Sequence, residues 1–210
     1  MSTSEWSAIN PLSARESVII VAIQSIRLYA RATLTAAVLL FGPAPAYADQ
    51  TDERLEELFN SLGETEDLFE AQEVQLQISN IWQDSNSASI ELLLSRSISA
   101  INEQDYDTAR THLDDIVDLA PEFAEGWNQR AILNFVTYRY EEAILDIQKT
   151  VLLEPRHYGA WSGLGQIFES VGNERAALEA YRHALSLNPY LEGTERAIKS
   201  LERDVEGRGI

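Results

Sequence analysis

The sequence predicts an all-α protein in which three helix–turn–helix units stack into a solenoid, between an N-terminal helical pair and a C-terminal capping helix. When the sequence is compared with itself, the same residue types recur every 34 positions. Helix-breaking prolines recur in step with small alanines and with tryptophans, so the period marks whole structural units. The recurring residues are Trp127 and Trp161, then Ala109, Ala143 and Ala177, and then Pro121, Pro155 and Pro189.

The stretch 158–191 shows why each unit is predicted to hold two helices. Apolar residues recur at helical spacing in its first half, Gly172 marks a turn, and a second helical pattern follows until Pro189 ends it. The small residues Gly165 and Ala177 allow the two predicted helices to approach closely, while larger side chains fill the space beside them. The first pattern is Trp161, Leu164, Gly165 and Phe168, and the second is Ala177, Tyr181, Ala184 and Leu185.

Helical patterns also flank the three units. Residues 49–88 are predicted to hold a helical pair and a linker, with the first helix ending at Gly63 and the second before the polar run 83–87. Residues 192–210 are predicted to hold a capping helix, at about 194–206, that covers the apolar end of the last unit. The apolar positions are Leu55, Leu58, Phe59 and Leu62, then Leu68, Val74, Ile78, Ile81 and Trp82, and in the capping helix Ala197, Ile198, Leu201 and Val205.

These residues and their spacing resemble the tetratricopeptide repeat (TPR), a helix–turn–helix unit of 34 residues. The three units are 90–123, 124–157 and 158–191, and the third matches the repeat pattern almost completely. The first unit matches least, because Leu93, Ser97 and Ala100 stand where the third has tryptophan, glycine and phenylalanine. The resemblance implies a TPR solenoid whose first helices line a concave surface that accommodates extended peptides or partner helices.

The second unit departs from the pattern at Arg130 and Asn134, which take the slots of Leu164 and Phe168. An unpaired charge is costly to bury, so Arg130 needs a partner or access to water. We expect it to pair with Asp146 on the facing second helix. The alternative is that its guanidinium reaches water while the apolar stem covers the core.

Residues 1–48 differ in composition from the rest and are predicted to be a cleaved signal peptide. Arg27 and Arg31 precede the uncharged stretch 32–41, and an Ala-Tyr-Ala pattern then places the expected cleavage before Asp49. A membrane-spanning helix needs roughly 20 apolar residues, and the two arginines interrupt any extension of this stretch. The sequence leaves the translation start open, because a further apolar patch lies upstream. We expect the mature protein in the bacterial periplasm.

Composition argues against several functions. The chain has 34 Asp and Glu against 16 Lys and Arg, a net charge of −18, which disfavours nucleic acid as a partner. The absence of cysteine excludes disulfides, thiolate metal sites and cysteine nucleophiles. The histidines His112, His157 and His183 share no ligand-like spacing, and His157 is expected to pack at a turn. We therefore predict no catalytic residues, no metal site and no cofactor.

The concave surface is the predicted binding site, by the resemblance to TPR proteins. The branch of that family that holds chaperone C-terminal carboxylates uses Lys, Arg and Asn there, and this chain offers no Lys or Arg at the corresponding positions. The inward-facing residues are Glu91, Leu94, Ile98 and Ile101, then Glu125, Asn128, Ile132 and Phe135, and then Gly159, Ser162, Gln166 and Glu169. The predicted partner contacts among them are Leu94, Ile98, Ile101, Asn128, Ile132, Phe135, Gln166 and Glu169.

The predicted groove is apolar in the first two units and polar or acidic in the third. That gradient suits a basic or amphipathic peptide. The alternative is that the N-terminal helical pair, through Ile78 and Trp82, folds into the groove and covers the apolar strip as ordinary core.

The function expected from these features is a non-catalytic interaction module or scaffold of the periplasm that binds a protein or peptide. Removing a leader of net charge +1 leaves −19, which favours a positively charged partner. The alternatives are an accessory subunit of an envelope enzyme complex and a self-associating structural protein, that is, a homo-oligomer. Neither nucleic acid binding nor stable membrane insertion after cleavage is expected.

Overall fold

The computed structural model describes residues 52–207, with side chains up to Arg203, so the predicted leader lies outside the described residues. The described residues form nine helices and no strand, which confirms the all-α class. No helix among them is long and apolar enough to cross a membrane. The helices are α1 (Arg54–Glu64), α2 (Leu68–Gln83), α3 (Ala88–Asn102), α4 (Tyr106–Leu119), α5 (Ala124–Val136), α6 (Tyr140–Leu153), α7 (Tyr158–Ser170), α8 (Glu174–Leu187) and α9 (Glu192–Gly207).

Helices α3 to α8 form three consecutive hairpins, which we call repeats 1, 2 and 3. The two helices of each hairpin pack against each other, α4 packs on α5, and α6 packs on α7. The capping helix α9 packs on α8 and begins at Glu192, two residues before the predicted start. The helix–turn–helix solenoid predicted from the period is therefore present.

The turn inside each repeat has the same backbone geometry at the same 34-residue spacing. Gln104, Tyr138 and Gly172 have φ angles of 63°, 61° and 76°, in the left-handed region. The next residue in each turn donates its backbone N–H to the carbonyl five positions earlier, at 2.8, 2.7 and 2.8 Å, which closes the end of the first helix. Of these three residues, only Gly172 was identified as a turn residue from the sequence, because glycine adopts this conformation without strain. For other residues the left-handed conformation is unfavourable by about 1–2 kcal/mol.

The two period-marking tryptophans fasten each first helix to the turn before it. The indole Nε1 of Trp127 donates to the carbonyl oxygen of Pro121 at 2.9 Å, and that of Trp161 to Pro155 at 3.0 Å. Both rings remain half-exposed, so space-filling in repeat 3 falls mainly to the buried Phe168. The proline turns are thus held by side chains as well as by the break in the helix.

The N-terminal pair α1 and α2 buries its apolar stripe against repeat 3, although repeat 1 follows it in sequence. Six residues of the pair form one core cluster with Tyr158 at the start of α7, and Leu187, Tyr190 and Leu191 pack against the same cluster. A separate cluster fills repeat 1 and its junction with α5. The residues of the pair in the first cluster are Leu55, Leu62, Ala71, Val74, Ile78 and Trp82.

Gly165 permits the closest helix approach in repeat 3. A Cβ atom at this position would lie 2.4 Å from Cδ1 of the buried Tyr181, a distance that real Cβ contacts do not show. Gly163, in the same helix, would place its Cβ 3.6 Å from Cδ1 of Ile147, an ordinary contact. The glycine at position 165 is therefore required by packing.

We predict that Gly165→Ala destabilises the protein by about 1–3 kcal/mol through overpacking against Tyr181, although alanine favours a helix. Gly163→Ala is the matched control and should be neutral or stabilising by up to about 1 kcal/mol. Urea unfolding followed by circular dichroism measures both variants. Equal stability of the two variants would contradict the close approach.

Candidate functional site

The predicted groove residues of repeat 1 are largely occupied by its own core. Leu94 is only 3% exposed and belongs to the repeat 1 cluster. Ile98 and Ile101 are half-buried and pack against the same cluster. This corrects the expectation of an open strip that includes Leu94, because the α3 face that carries it is needed to pack repeat 1.

Repeat 2 holds the most accessible apolar residues of the predicted groove. Ile132 is 40% exposed on α5, and the half-buried Phe135 follows one turn later, with its ring centroid 5.9 Å from that of Tyr140. Tyr138, in the left-handed turn, is 79% exposed, and its ring meets Tyr140 edge-on at 6.3 Å. We call Ile132, Phe135, Tyr138 and Tyr140 the repeat 2 patch. Only the first two were predicted, since a turn tyrosine carries no groove signal in the sequence.

Repeat 3 offers polar groups, as predicted, but some of them already have partners. Glu169 accepts a hydrogen bond from the Tyr181 hydroxyl at 2.8 Å, and Ser162 bonds Thr194 of α9 at 2.8 Å. Gln166 is exposed. Burial, together with the hydrogen bond and charge of Glu169, raises the pKa of Tyr181. The tyrosine therefore stays protonated and keeps donating to Glu169.

Glu125, predicted to face the groove, is instead buried in a hydrogen-bonded pair with His157. The two residues are 5% and 3% exposed, and Nε2 of His157 lies 3.0 Å from Oε2 of Glu125. The side-chain amides of Asn128 and Gln129 donate to the same carboxylate at 3.1 and 2.6 Å. The carboxylate also lies in the first turn of α5, where the helix dipole favours a negative charge. Asn128, a predicted partner contact, thus holds Glu125.

The tautomer of His157 follows from its second ring nitrogen. The backbone N–H of Ala160 donates to Nδ1 of His157 at 3.0 Å, so the imidazole caps the N-terminus of α7. A nitrogen that accepts this bond carries no proton, so a neutral imidazole holds its proton on Nε2 and donates it to Glu125. One side chain therefore joins repeat 2 to repeat 3 and begins α7. The sequence indicated a turn position for His157 and missed both bonds.

Trp82 of the N-terminal pair covers this buried hydrogen bond. Its ring stacks on His157, with centroids 4.2 Å apart and an interplanar angle of 13°, and contacts Tyr158 at 5.0 Å. Phe59 of α1 packs on Trp82 at 6.1 Å and lies under the guanidinium of Arg156 at 4.7 Å. The aromatic side chains of α1 and α2 thus exclude water from the junction of repeats 2 and 3.

Polar contacts fix the other end of the same interface. The Tyr190 hydroxyl donates to the carbonyl oxygen of Thr65, and the Gln75 amide donates to Asn188 at 3.2 Å. The N-terminal pair therefore spans the turns before and after repeat 3. Ile78 and Trp82 do become core, as the alternative from the sequence proposed, but they cover the start of α7 and leave Ile132 accessible.

The predicted pair of Arg130 and Asp146 is confirmed. The guanidinium binds both carboxylate oxygens, with Nε–Oδ2 and Nη2–Oδ1 distances of 3.0 and 2.7 Å, and it also reaches Asp114 of α4 at 3.0 Å. Asn134 donates to Asp146 at 2.8 Å and accepts from Arg110 at 2.7 Å. Burial opposes the charge on Arg130, but the two carboxylates outweigh it and raise the pKa.

This network explains both departures of repeat 2 from the apolar pattern. Arg130 and Asn134 replace apolar core residues together, and each is satisfied by the same carboxylate of Asp146. Because Asp114 and Arg110 belong to α4, the network also ties repeat 1 to repeat 2. Its charges are paired internally, so its role is structural.

The described part of the chain contains no group of three His, Asp or Glu side chains placed to hold a metal ion. Within residues 52–203, Glu125 and His157 are the only buried carboxylate and histidine that lie within ion-pair distance of each other. Neither lines the surface clefts beside α2. Their oxygens and nitrogens are used by helix contacts. Both side chains therefore serve the contact between repeats 2 and 3.

Tyr158 provides a pH-dependent test of the N-terminal interface. Burial, with a smaller contribution from the negative Glu125, raises the pKa of Tyr158 to about 12. Because the ordinary value is near 10, the stabilisation that this shift represents is present below about pH 10 and is lost as the pH rises to about 12.

We predict that Tyr158→Phe loses less stability than the wild type between pH 10 and 12, by about 2–3 kcal/mol. Denaturant unfolding at several pH values measures this difference. Leu145→Ala is the control, because Leu145 is exposed and does not titrate, and its pH profile should follow the wild type. Identical pH profiles for all three proteins would show that Tyr158 is not buried by the N-terminal pair.

Comparison with known proteins agrees with the observed repeats. A sequence model of the tetratricopeptide repeat matches residues 158–190. A TPR repeat-containing protein of Rhizobium etli is 35% identical over 155 residues, covering 74% of this chain and 76% of the relative.

Solved TPR domains have the same fold. The Sgt2 TPR domain from Aspergillus fumigatus is 20% identical with a TM-score of 0.55, over 59% of this chain and 83% of that domain. The first TPR of Spaghetti (RPAP3), bound to the HSP90 peptide SRMEEVD, is 18% identical with a TM-score of 0.54, over 56% and 93%. From its helical hairpins, its turns and its relative in Rhizobium etli, this chain belongs to the tetratricopeptide repeat family.

Proposed function

We propose that this protein is a non-catalytic interaction module that binds a partner protein or peptide on the groove side of repeat 2, at the repeat 2 patch. A TPR fold is typically an interaction module, and the first TPR of RPAP3 carries a bound peptide. The fold alone names no partner. The proposal therefore depends on which part of the surface is accessible and on its chemistry.

The observation that carries the proposal is the repeat 2 patch. Aromatic side chains that are exposed and held in place are typical of binding hot spots. Tyr138 is 79% exposed and has a left-handed backbone conformation, which is unfavourable for a tyrosine. Burial of its side chain within the protein does not offset this cost. A partner that covers Tyr138 and the neighbouring Ile132 would provide that burial.

The charge of the protein favours a basic or amphipathic partner. The peptide bound to RPAP3 has the sequence SRMEEVD, which contains three acidic residues and one arginine. This chain has a net charge of −18 and no Lys or Arg at the inward-facing positions. A peptide like that of RPAP3 would be repelled, whereas a basic segment would be attracted.

We further propose that the mature protein acts in the bacterial periplasm, after cleavage before Asp49. The support is the pattern of Arg27 and Arg31, an apolar stretch and Ala-Tyr-Ala in the sequence. An accessory role in an envelope enzyme complex is compatible with the same binding surface.

A photo-cross-linking amino acid at position 138 tests the function. In cells that export the protein, it should give specific adducts with one partner, recovered in the periplasmic fraction on a chain that begins at Asp49. Combining it with Ile132→Asp should reduce the adduct at least about tenfold, because a charge replaces an apolar contact. The variant should remain folded, with the circular dichroism spectrum of the wild type, because Ile132 lies outside the buried core.

The matched control is Leu145→Asp, at a leucine of α6 that is equally apolar and is exposed. It should leave the adduct from position 138 unchanged. Equal loss in both variants, or no adduct from position 138, would contradict binding at the repeat 2 patch.

A further inference from the structure

Two adjoining clefts lie outside the repeat 2 patch. The larger, of about 700 Å³, runs between α1 and α2. The second, of about 460 Å³, lies between the C-terminal end of α2 and α3. Asn80 and Asp84 line both, so the clefts meet at the end of α2. We call the two together the α2 cleft.

The α2 cleft has an apolar floor. Leu58 of α1 and Ile81 of α2 are partly exposed in its larger part, with the buried Val74 beneath them. Ile98 of α3 is partly exposed in the smaller part, beside the buried Leu94. When a partner's apolar side chains cover such a floor, apolar surface is removed from water, and this stabilises the complex.

Carboxylates surround this floor. Arg54 is the one cation among the described residues that line the α2 cleft, and its guanidinium is bound to Asp52 at 2.9 and 3.0 Å. The carboxylates form no ion pair within residues 52–203. They are Glu57, Glu70, Glu73, Asp84 and Glu91.

The backbone adds negative potential where the two parts meet. The C-terminal end of a helix carries a partial negative charge, and α2 has no basic residue in its last turn to offset it. The residue that follows the helix is Asp84. A cation placed near Asn80 and Asp84 would therefore meet the helix end and a carboxylate at once.

We propose that the α2 cleft is a second binding surface, which takes a basic amphipathic segment of a partner protein. Its apolar side chains would cover Leu58, Ile81 and Ile98, and its Lys or Arg side chains would pair with the surrounding carboxylates. The inference rests on the proposed function only in treating the chain as an interaction module. The site lies mainly on the N-terminal pair, and α3 of repeat 1 completes it.

The test uses the mature protein and a fluorescein-labelled amphipathic peptide of Leu and Lys, of about 14 residues, in about 0.15 M salt. The triple variant Glu57→Gln, Glu70→Gln, Glu73→Gln should weaken binding of the peptide at least about tenfold, measured by anisotropy. The matched control is Asp115→Asn, Asp118→Asn, Glu141→Gln, which removes the same charge from exposed residues of α4 and α6. It should weaken binding less than about twofold, by screened long-range attraction alone.

The Ile132→Asp variant separates this proposal from the repeat 2 patch. If the peptide occupies the α2 cleft, Ile132→Asp binds it with unchanged affinity. Loss of affinity in Ile132→Asp with none in the Glu57, Glu70 and Glu73 variant would place the peptide on the repeat 2 patch and overturn the α2 cleft. Equal weakening in the two charge variants, or no binding to the wild type, would overturn it as well.

Discussion

The buried hydrogen bond between His157 and Glu125 is the interaction on which the rest of the arrangement depends. It joins the first turn of α5 to the start of α7, and the same imidazole caps α7 through Ala160. A buried carboxylate is costly unless its oxygens are satisfied and water is kept out. Asn128 and Gln129 supply the remaining donors, and Trp82 covers the ring of His157. The N-terminal pair is thus required where it lies, because without Trp82 the pair of Glu125 and His157 would face solvent.

That placement decides which surfaces remain for partners. Because α1 and α2 lie against the turns on either side of repeat 3, they leave the repeat 2 patch accessible, with Ile132 and Tyr138 exposed. The same placement creates the α2 cleft, since its floor combines residues of α1, α2 and α3. Carboxylates surround the α2 cleft, and the chain as a whole has a net charge of −18, so a basic partner is proposed for both surfaces. A protein with three repeats would thereby offer the two binding surfaces that we propose.

The fold followed from the sequence because its signals were local and repeated: prolines, small residues and helical spacing at 34-residue intervals. The bond of Arg130 to Asp146 was also predictable, since a charge in an apolar slot needs a partner on the facing helix. Less of the candidate site could be predicted from the sequence. His157 and Glu125 are 32 residues apart, and nothing in their local sequence indicates that Trp82 covers them. Leu94 looked like a groove residue because helical spacing places it on the inward face, but spacing does not show how deeply the repeat 1 core reaches. Tyr138 was missed because tyrosine is not a residue that marks a left-handed turn.

Native-state hydrogen exchange of the mature protein tests most directly the claim that the N-terminal pair is an integral part of the solenoid. In this account, amides of α2 from Val74 to Trp82 exchange only through an opening that also exposes α7, so their free energies of exchange match those of α7. Exchange of α2 at a free energy several kcal/mol lower, while α7 stays protected, would contradict it. Tyr158 and the turns on either side of repeat 3 would then be open to solvent, and the α2 cleft would not be a fixed feature of the protein.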